Sequence, residues 1–330
     1  MKSLVSLRRA TPLIATLLFG AAAQAQTLGT DFANDYSVMS LGSVAGLPSN
    51  YGGLTFLDSN TLLIGGAANG ASGSLYTIGV QRDADNHITG FAPGDAVRYG
   101  TSIGEYNDGG VTFGPGGVLF TSRWPINELG QTKPGSVDED KIINLAALGV
   151  AGSHSAVGFV PGGFGGAGQI KLVSYGGGEW YTGAVQADGN GTYDLVGVTR
   201  VDLDPDAAGI QNVAGGPEGF AYIGASNAGF GVNSMLISEY GAGTVGAYMV
   251  DADGNPLVAS RRTFLSGLSG AEGAAIDPLT GDFLFSTFGG GNKVIVVSGF
   301  VAPPVPEPST WLLMSIGLLG WAWVGRRRRR

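Results

Sequence analysis

Glu272-Gly-Ala-Ala-Ile-Asp-Pro-Leu-Thr-Gly-Asp-Phe-Leu-Phe285 reads as two short apolar strands joined by an Asp/Pro/Gly turn, and the chain repeats this unit. Lys293-Val-Ile-Val-Val297 adds a third strand. Four earlier copies keep the order. The first holds Tyr51–Phe56, Leu62–Ile64 and Ser74–Val80; the second holds Asp108–Phe113, Val118–Ser122 and Lys141–Leu145. The third holds Ala156–Val160, Ile170–Ser174 and Glu179–Val185, and the fourth Glu218–Tyr222, Met235–Ser238 and Thr244–Val250. Aligned on Gly53, Gly110, Ala156, Gly219 and Gly273, the copies lie 57, 46, 63 and 54 residues apart, a period suited to a sheet of four short strands. The segments Asp83–Asn86, Asp188–Asn190 and Asp251–Asn255 mark a turn after the third strand, since Asp, Asn and Gly accept positive φ.

A fourth strand follows such a turn, as at Leu257–Phe264, but the last copy has none before a Pro-rich linker. A strand precedes the first copy instead, Tyr36–Val44. We expect it to complete the last unit, closing a ring and removing two open sheet edges. The expected fold is all-β: a β-propeller of about five four-stranded blades, six only if blades share strands. No unit carries a 3.6-residue apolar stripe, which excludes helical solenoids. With 59 glycines the chain could pass for low complexity, but 44% hydrophobic residues in regular runs argue for a packed core.

The Glu-Gly start, apolar run and D-x-[FL]-[LF] return, best seen at Glu272–Phe285 and next at Pro217-Glu218-Gly219, resemble blades of NHL and SMP-30-type propellers. The resemblance is loose and bears on architecture. It implies that the start of each innermost strand faces a central channel, where SMP-30-type lactonases and esterases hold a calcium ion with Glu, Asn and Asp. Carried over, Glu218 or Glu272 would be a metal ligand. Read from the residues alone, Asp108, Glu218 and Glu272 are the metal candidates: carboxylates at strand starts, with Asn107 and His154 nearby, suit a hard cation or sugar hydroxyls. The alternative is that they cap strands or face channel water. Trp124, Tyr175, Trp180, Tyr240 and Phe288 fall after the second strands, and planar rings there can stack on sugars or pack between blades. Trp124, Trp180 and Tyr240 are the ligand-binding candidates. No residue is singled out as catalytic.

Several motifs carry no function. Gly163–Gly168 fits G-x-G-x-x-G but precedes a strand rather than a helix, and no G-x-S-x-G elbow occurs. The spacing at Asp251–Asn255 belongs to a hairpin, and Asp202–Asp206 reads as a solvated turn.

Both ends of the chain address it outward. Lys2, Arg8 and Arg9 precede an apolar run from Leu13, and Ala23-Gln24-Ala25 supplies an A-x-A site, so residues 1–25 read as a signal peptide cut after Ala25. Residues 26–300 form the propeller and 301–310 a Pro-rich linker. Residues 311–325 form a transmembrane helix and 326–330 a cytoplasmic arginine cluster. The uncharged run Trp311–Val324 would rise about 21 Å as a helix, short of a bilayer core unless flanking residues help. Arg326, Arg327, Arg328, Arg329 and Arg330 fix the cytoplasmic side.

Pro306-Glu307-Pro308, the short helix and the arginines resemble the PEP-CTERM sorting signal of Gram-negative bacteria. That resemblance implies export through the Sec translocon, transient anchoring by the C-terminal helix, and recognition by an exosortase. Cleavage near Pro306–Pro308 and delivery to the cell surface or extracellular matrix would follow. Without both ends, ten basic residues face 26 acidic ones (25 if Glu307 also leaves), a net charge of about −15 to −16. Such a domain repels nucleic acid and tolerates calcium. The chain has no cysteine and two histidines, which excludes disulfides and a multi-histidine metal centre. The leading expectation is a non-enzymatic surface propeller that binds extracellular polysaccharide or another envelope component. The rivals are a calcium-dependent lactonase or esterase and a protein-binding scaffold.

Overall fold

The structure is a computed structural model and describes residues 25–299. Residues 1–24 of the expected signal peptide, the Pro-Glu-Pro motif, the expected membrane helix and the arginine cluster lie outside the described residues. No described helix is long and apolar enough to cross a membrane.

Five antiparallel sheets form five propeller blades. The first blade runs β3 (Leu54–Asp58), β4 (Thr61–Gly66) and β5 (Ser74–Arg82); both β6 (Ile88–Phe91) and β7 (Val97–Arg98) pair with β5 as a divided fourth strand. The second contains β8 (Asn107–Phe113), β9 (Leu119–Arg123), β10 (Glu128–Thr132) and β11 (Lys141–Asn144). The third contains β12 (His154–Phe159), β13 (Ile170–Ser174), β14 (Trp180–Ala187) and β15 (Tyr193–Val201). In the fourth, β16 (Pro217–Ile223), β17 (Ser234–Glu239), β18 (Thr244–Met249) and β19 (Arg262–Ser266) gain a fifth strand, β1 (Thr27–Leu28), on β19. The last has β20 (Ala271–Ile276), β21 (Phe283–Thr287) and β22 (Val294–Ser298) from the C-terminal side. Its fourth strand is β2 (Ser37–Gly42), with Val38 opposite Val297. The expected closure by the N-terminal strand is thus present.

The second blade corrects the sequence reading. Lys141–Asn144 is its fourth strand, and Glu128–Thr132, which was not expected to be a strand, is the third. Glu128–Thr132 holds one apolar side chain, Leu129. Gln131 is buried and completes its hydrogen bonds with the Tyr193 backbone of the next blade, so the strand lacks an apolar pattern.

Alternation along the strands divides the core among the five blade interfaces. In β4, Leu62 and Ile64 pack toward the last blade, whereas Leu63 packs toward the second. In β21, Phe283 and Phe285 face the fourth blade and Leu284 faces the first. The turns after the third strands close alike. Asp83 Oδ1 accepts the amides of Asp85 and His87, Asp188 Oδ1 those of Asn190 and Thr192, and Asp251 Oδ1 those of Asp253 and Asn255.

The axis departs from an open channel, because glycines let the innermost backbones touch. A Cβ on Gly219 would lie 2.4 Å from Ala274 N, and one on Gly109 would lie 2.7 Å from Gly219 N. One on Gly273 would lie 2.8 Å from Gly53 Cα. This plug separates the axial space into two ends.

Candidate functional site

Each innermost strand of the last four blades begins with a β-bulge. Four backbone steps along β8, from Asn107 to Val111, match two along β9; in β16 and β20 three steps match two, and in β12 two match one. The longer bulge in β8 explains why Asp108, two residues before Gly110, joins Glu218 and Glu272, which stand one residue before Gly219 and Gly273.

Serines hold the bulges. Ser286 Oγ accepts from Gly273 N at 2.8 Å and donates to Gly52 O of the next blade at 2.6 Å. Ser122 Oγ accepts from Gly110 N at 2.9 Å and donates to Ser155 O at 2.7 Å; Ser155 Oγ passes the link to Pro217 O. Ser238 donates to Gly273 O. The sequence reading left these serines without a role. Their signal is visible: second strands of four units end in Ser122, Ser174, Ser238 and Ser286.

The fold brings the three metal candidates together. Asp108, Glu218 and Glu272 each place a carboxylate oxygen within 4.8 Å of the others. All three side chains are buried, Glu272 completely. Asp108 Oδ2, Glu218 Oε2 and both Glu272 oxygens meet no donor outside the triad, within which Asp108 is in hydrogen-bonding reach of Glu218 and Glu272. Asn69, with its amide nitrogen turned to the acceptors, donates to Asp108 Oδ1 at 2.9 Å.

Burial pushes the Asp108 carboxyl up to about 7. Glu218 and Glu272 are raised well above the usual carboxylate range, first by burial and then by the neighbouring acids. Carboxylates clustered in a buried site either keep protons or bind a cation. Three anionic oxygen donors suit a hard divalent ion of the calcium type. His154 starts β12 fully buried; burial lowers it to about 3 against the opposing hydrogen bond to the Val173 backbone, so it is neutral.

Four aromatic side chains surround this end at one backbone position. Trp124 N donates to Tyr106 O, Tyr175 N to Ser153 O, Tyr240 N to Gly216 O and Phe288 N to Gly270 O; Ala67 N donates to Ser49 O in the first blade. All four rings are half-buried. Tyr240 contacts both neighbours, with ring centroids 5.7 Å from Tyr175 and 6.0 Å from Phe288. Its phenol is raised by burial and then by Glu272, Tyr175 and the other two acids, which places it beside them. Trp124 shares the backbone position of Tyr240 in the second blade. Trp180 does not. It opens β14, is fully buried, lies 5.0 Å from the Phe220 ring and donates to Asn255 Oδ1, which the buried Lys171 also meets. Trp180 belongs to the core between the third and fourth blades.

Residues 304–329 match the PEP-CTERM protein-sorting motif. The chain carries a PEP-CTERM sorting signal. The signal marks the protein for export and transient anchoring in the membrane. No curated protein sequence matches the chain. Among solved structures, glutaminyl cyclase from Myxococcus xanthus is similar at 13% identity and TM-score 0.48, covering 81% of this chain and 97% of that one. An auxiliary nutrient binding protein from Bacteroides ovatus shares 11% identity at TM-score 0.44, covering 80% of this chain and 76% of its own. The pyranose dehydrogenase PQQ domain from Coprinopsis cinerea shares 12% at TM-score 0.40, covering 83% and 97%.

Proposed function

We propose that this protein is a non-enzymatic propeller, sorted to the cell surface or extracellular matrix, that binds polysaccharide at the aromatic end of its axis. The observation that carries this reading is the recurrence of an aromatic side chain at one backbone position in four of five blades, around buried acids. Rings held there by the scaffold stack on the apolar faces of sugars at low entropic cost, while a calcium ion held by Asp108, Glu218 and Glu272 meets hydroxyl or carboxylate oxygens. The protein is expected to sediment with insoluble matrix polysaccharide. Trp124→Ala or Tyr240→Ala should reduce retention at least tenfold, with Trp180→Phe as a core control that leaves it intact. Retention on no glycan of a broad panel would sink the reading.

The uncompensated acids support a second reading, a calcium-dependent lactonase or esterase. Calcium-dependent hydrolysis of a simple lactone, lost in Glu218→Gln, would favour it over binding alone.

Sorting rests on the tail. Exosortase is expected to cut near Pro306, Glu307 and Pro308, so the released protein should have an intact mass lacking Arg326–Arg330. A Pro306→Ala, Pro308→Ala chain should stay with the membrane. A released form that retains the arginines would contradict this route.

A further inference from the structure

The innermost strands run from the acidic end to the opposite end of the axis, where their last residues spread into a funnel of about 790 Å³. Gly109 forms part of its floor, so the glycine plug separates it from the carboxylates. All five blades contribute to the wall, with Phe56, Val157, Phe220 and Ile276 among the apolar residues. The Tyr222 hydroxyl turns away to donate to Gly254 O, leaving its ring as wall.

Among the described residues Asp58 is the only carboxylate in the lining, its Oδ1 accepting the Asn60 amide in the adjacent turn, and no lysine or arginine lines the funnel. It therefore offers no group to neutralise an anion, and desolvating a charged ligand there would be costly. Thr55 and Thr112, on the first and second blades, line the funnel, and neither hydroxyl has a hydrogen bond within the described protein. A cavity of this size, lined by more apolar than polar surface, suits a small molecule.

We propose that this funnel is a second binding site, separate from the acidic end, for an uncharged and mainly apolar small molecule bearing a hydroxyl or carbonyl group. The apolar walls supply affinity, and Thr55 and Thr112 orient the polar group. The aromatic end would meet hydrated glycan while the funnel holds a ligand of opposite character.

Photolabelling of the full-length chain in zwitterionic nanodiscs tests this, with 4-(hydroxymethyl)benzophenone as the uncharged probe and benzophenone-4-carboxylate as its anionic counterpart. The uncharged probe should label saturably, with adducts in segments 54–59, 109–113 and 274–279. Thr112→Trp should fill the space and reduce those adducts at least tenfold, leaving adducts elsewhere unchanged. Thr112→Val keeps the shape and removes the hydroxyl, and should weaken labelling about threefold, providing a reading if the Trp variant misfolds. Non-saturable adducts scattered over the blade exteriors, equal labelling by the carboxylate, or funnel adducts insensitive to both substitutions would overturn the proposal.

Discussion

Replacing Glu272 by Gln should raise the melting temperature of the cation-free protein at pH 8 and abolish its stabilisation by calcium. Glu272 is fully buried beside two other acids and meets no donor outside the triad. Folding therefore holds protons that the unfolded chain releases. For Asp108, raised from 3.8 to about 7, the native state binds the extra proton between those values, so its contribution to stability falls as pH rises through that range. Glu218 and Glu272, raised well above the usual carboxylate range, act in the same direction.

His154 acts oppositely. Lowered from 6.5 to about 3, it contributes stability above 6.5 that is lost as pH falls toward 3. Lys171, lowered from 10.5 to about 8, adds stability as pH rises beyond 8. The triad is therefore read most cleanly between pH 6.5 and 8. In EDTA, the wild-type melting temperature should fall across this window, and that of Glu272→Gln should fall less. Calcium at about a hundred times its Kd adds about 2.7 kcal/mol. For a domain of this size that is a rise of roughly 5–10 °C. Equal calcium shifts in wild type and variant, or an EDTA melting curve flat from pH 6.5 to 8, would remove the cation from the site.

The carboxylates were legible in sequence because a repeat aligns them: Glu-Gly recurs at Glu218 and Glu272, and Asp108 lies near the matching glycine. Ring closure was legible for a similar reason, since a unit short of one strand and a spare strand at Tyr36–Val44 imply each other. What local pattern could not give was contact across blades. Trp180 opens the expected strand Glu179–Val185 just after a Gly-rich turn, and which way its ring points depends on Phe220 of the next blade, against which β14 carries it inward. The two-residue β1, and the polar strand β10 whose Gln131 finds its partners in another blade, have too little periodicity to announce themselves. The closed axis depends on how glycines from different repeats oppose one another, which no single repeat specifies.

That closure joins fold to site, and Gly219→Ala should expose the link. The added methyl would lie 2.4 Å from Ala274 N, 2.7 Å from Glu272 O and 2.7 Å from Gly273 C. Every obstacle is backbone, so no rotamer change relieves the contact. The fourth and last blades must separate, at about 3 kcal/mol for overpacking of this kind. Glu218 and Glu272 each adjoin one of the displaced glycines, so separating the strands also pulls their carboxylates apart. Calcium stabilisation should weaken beyond the general loss in stability. Gly162→Ala, where a Cβ meets nothing within 4 Å, should leave both quantities unchanged. The comparison needs thermal melts of the three proteins with EDTA and with calcium. If Gly219→Ala melts with Gly162→Ala, the axial plug is not tight; if it melts lower but keeps the full calcium increment, the carboxylate geometry does not depend on the plug.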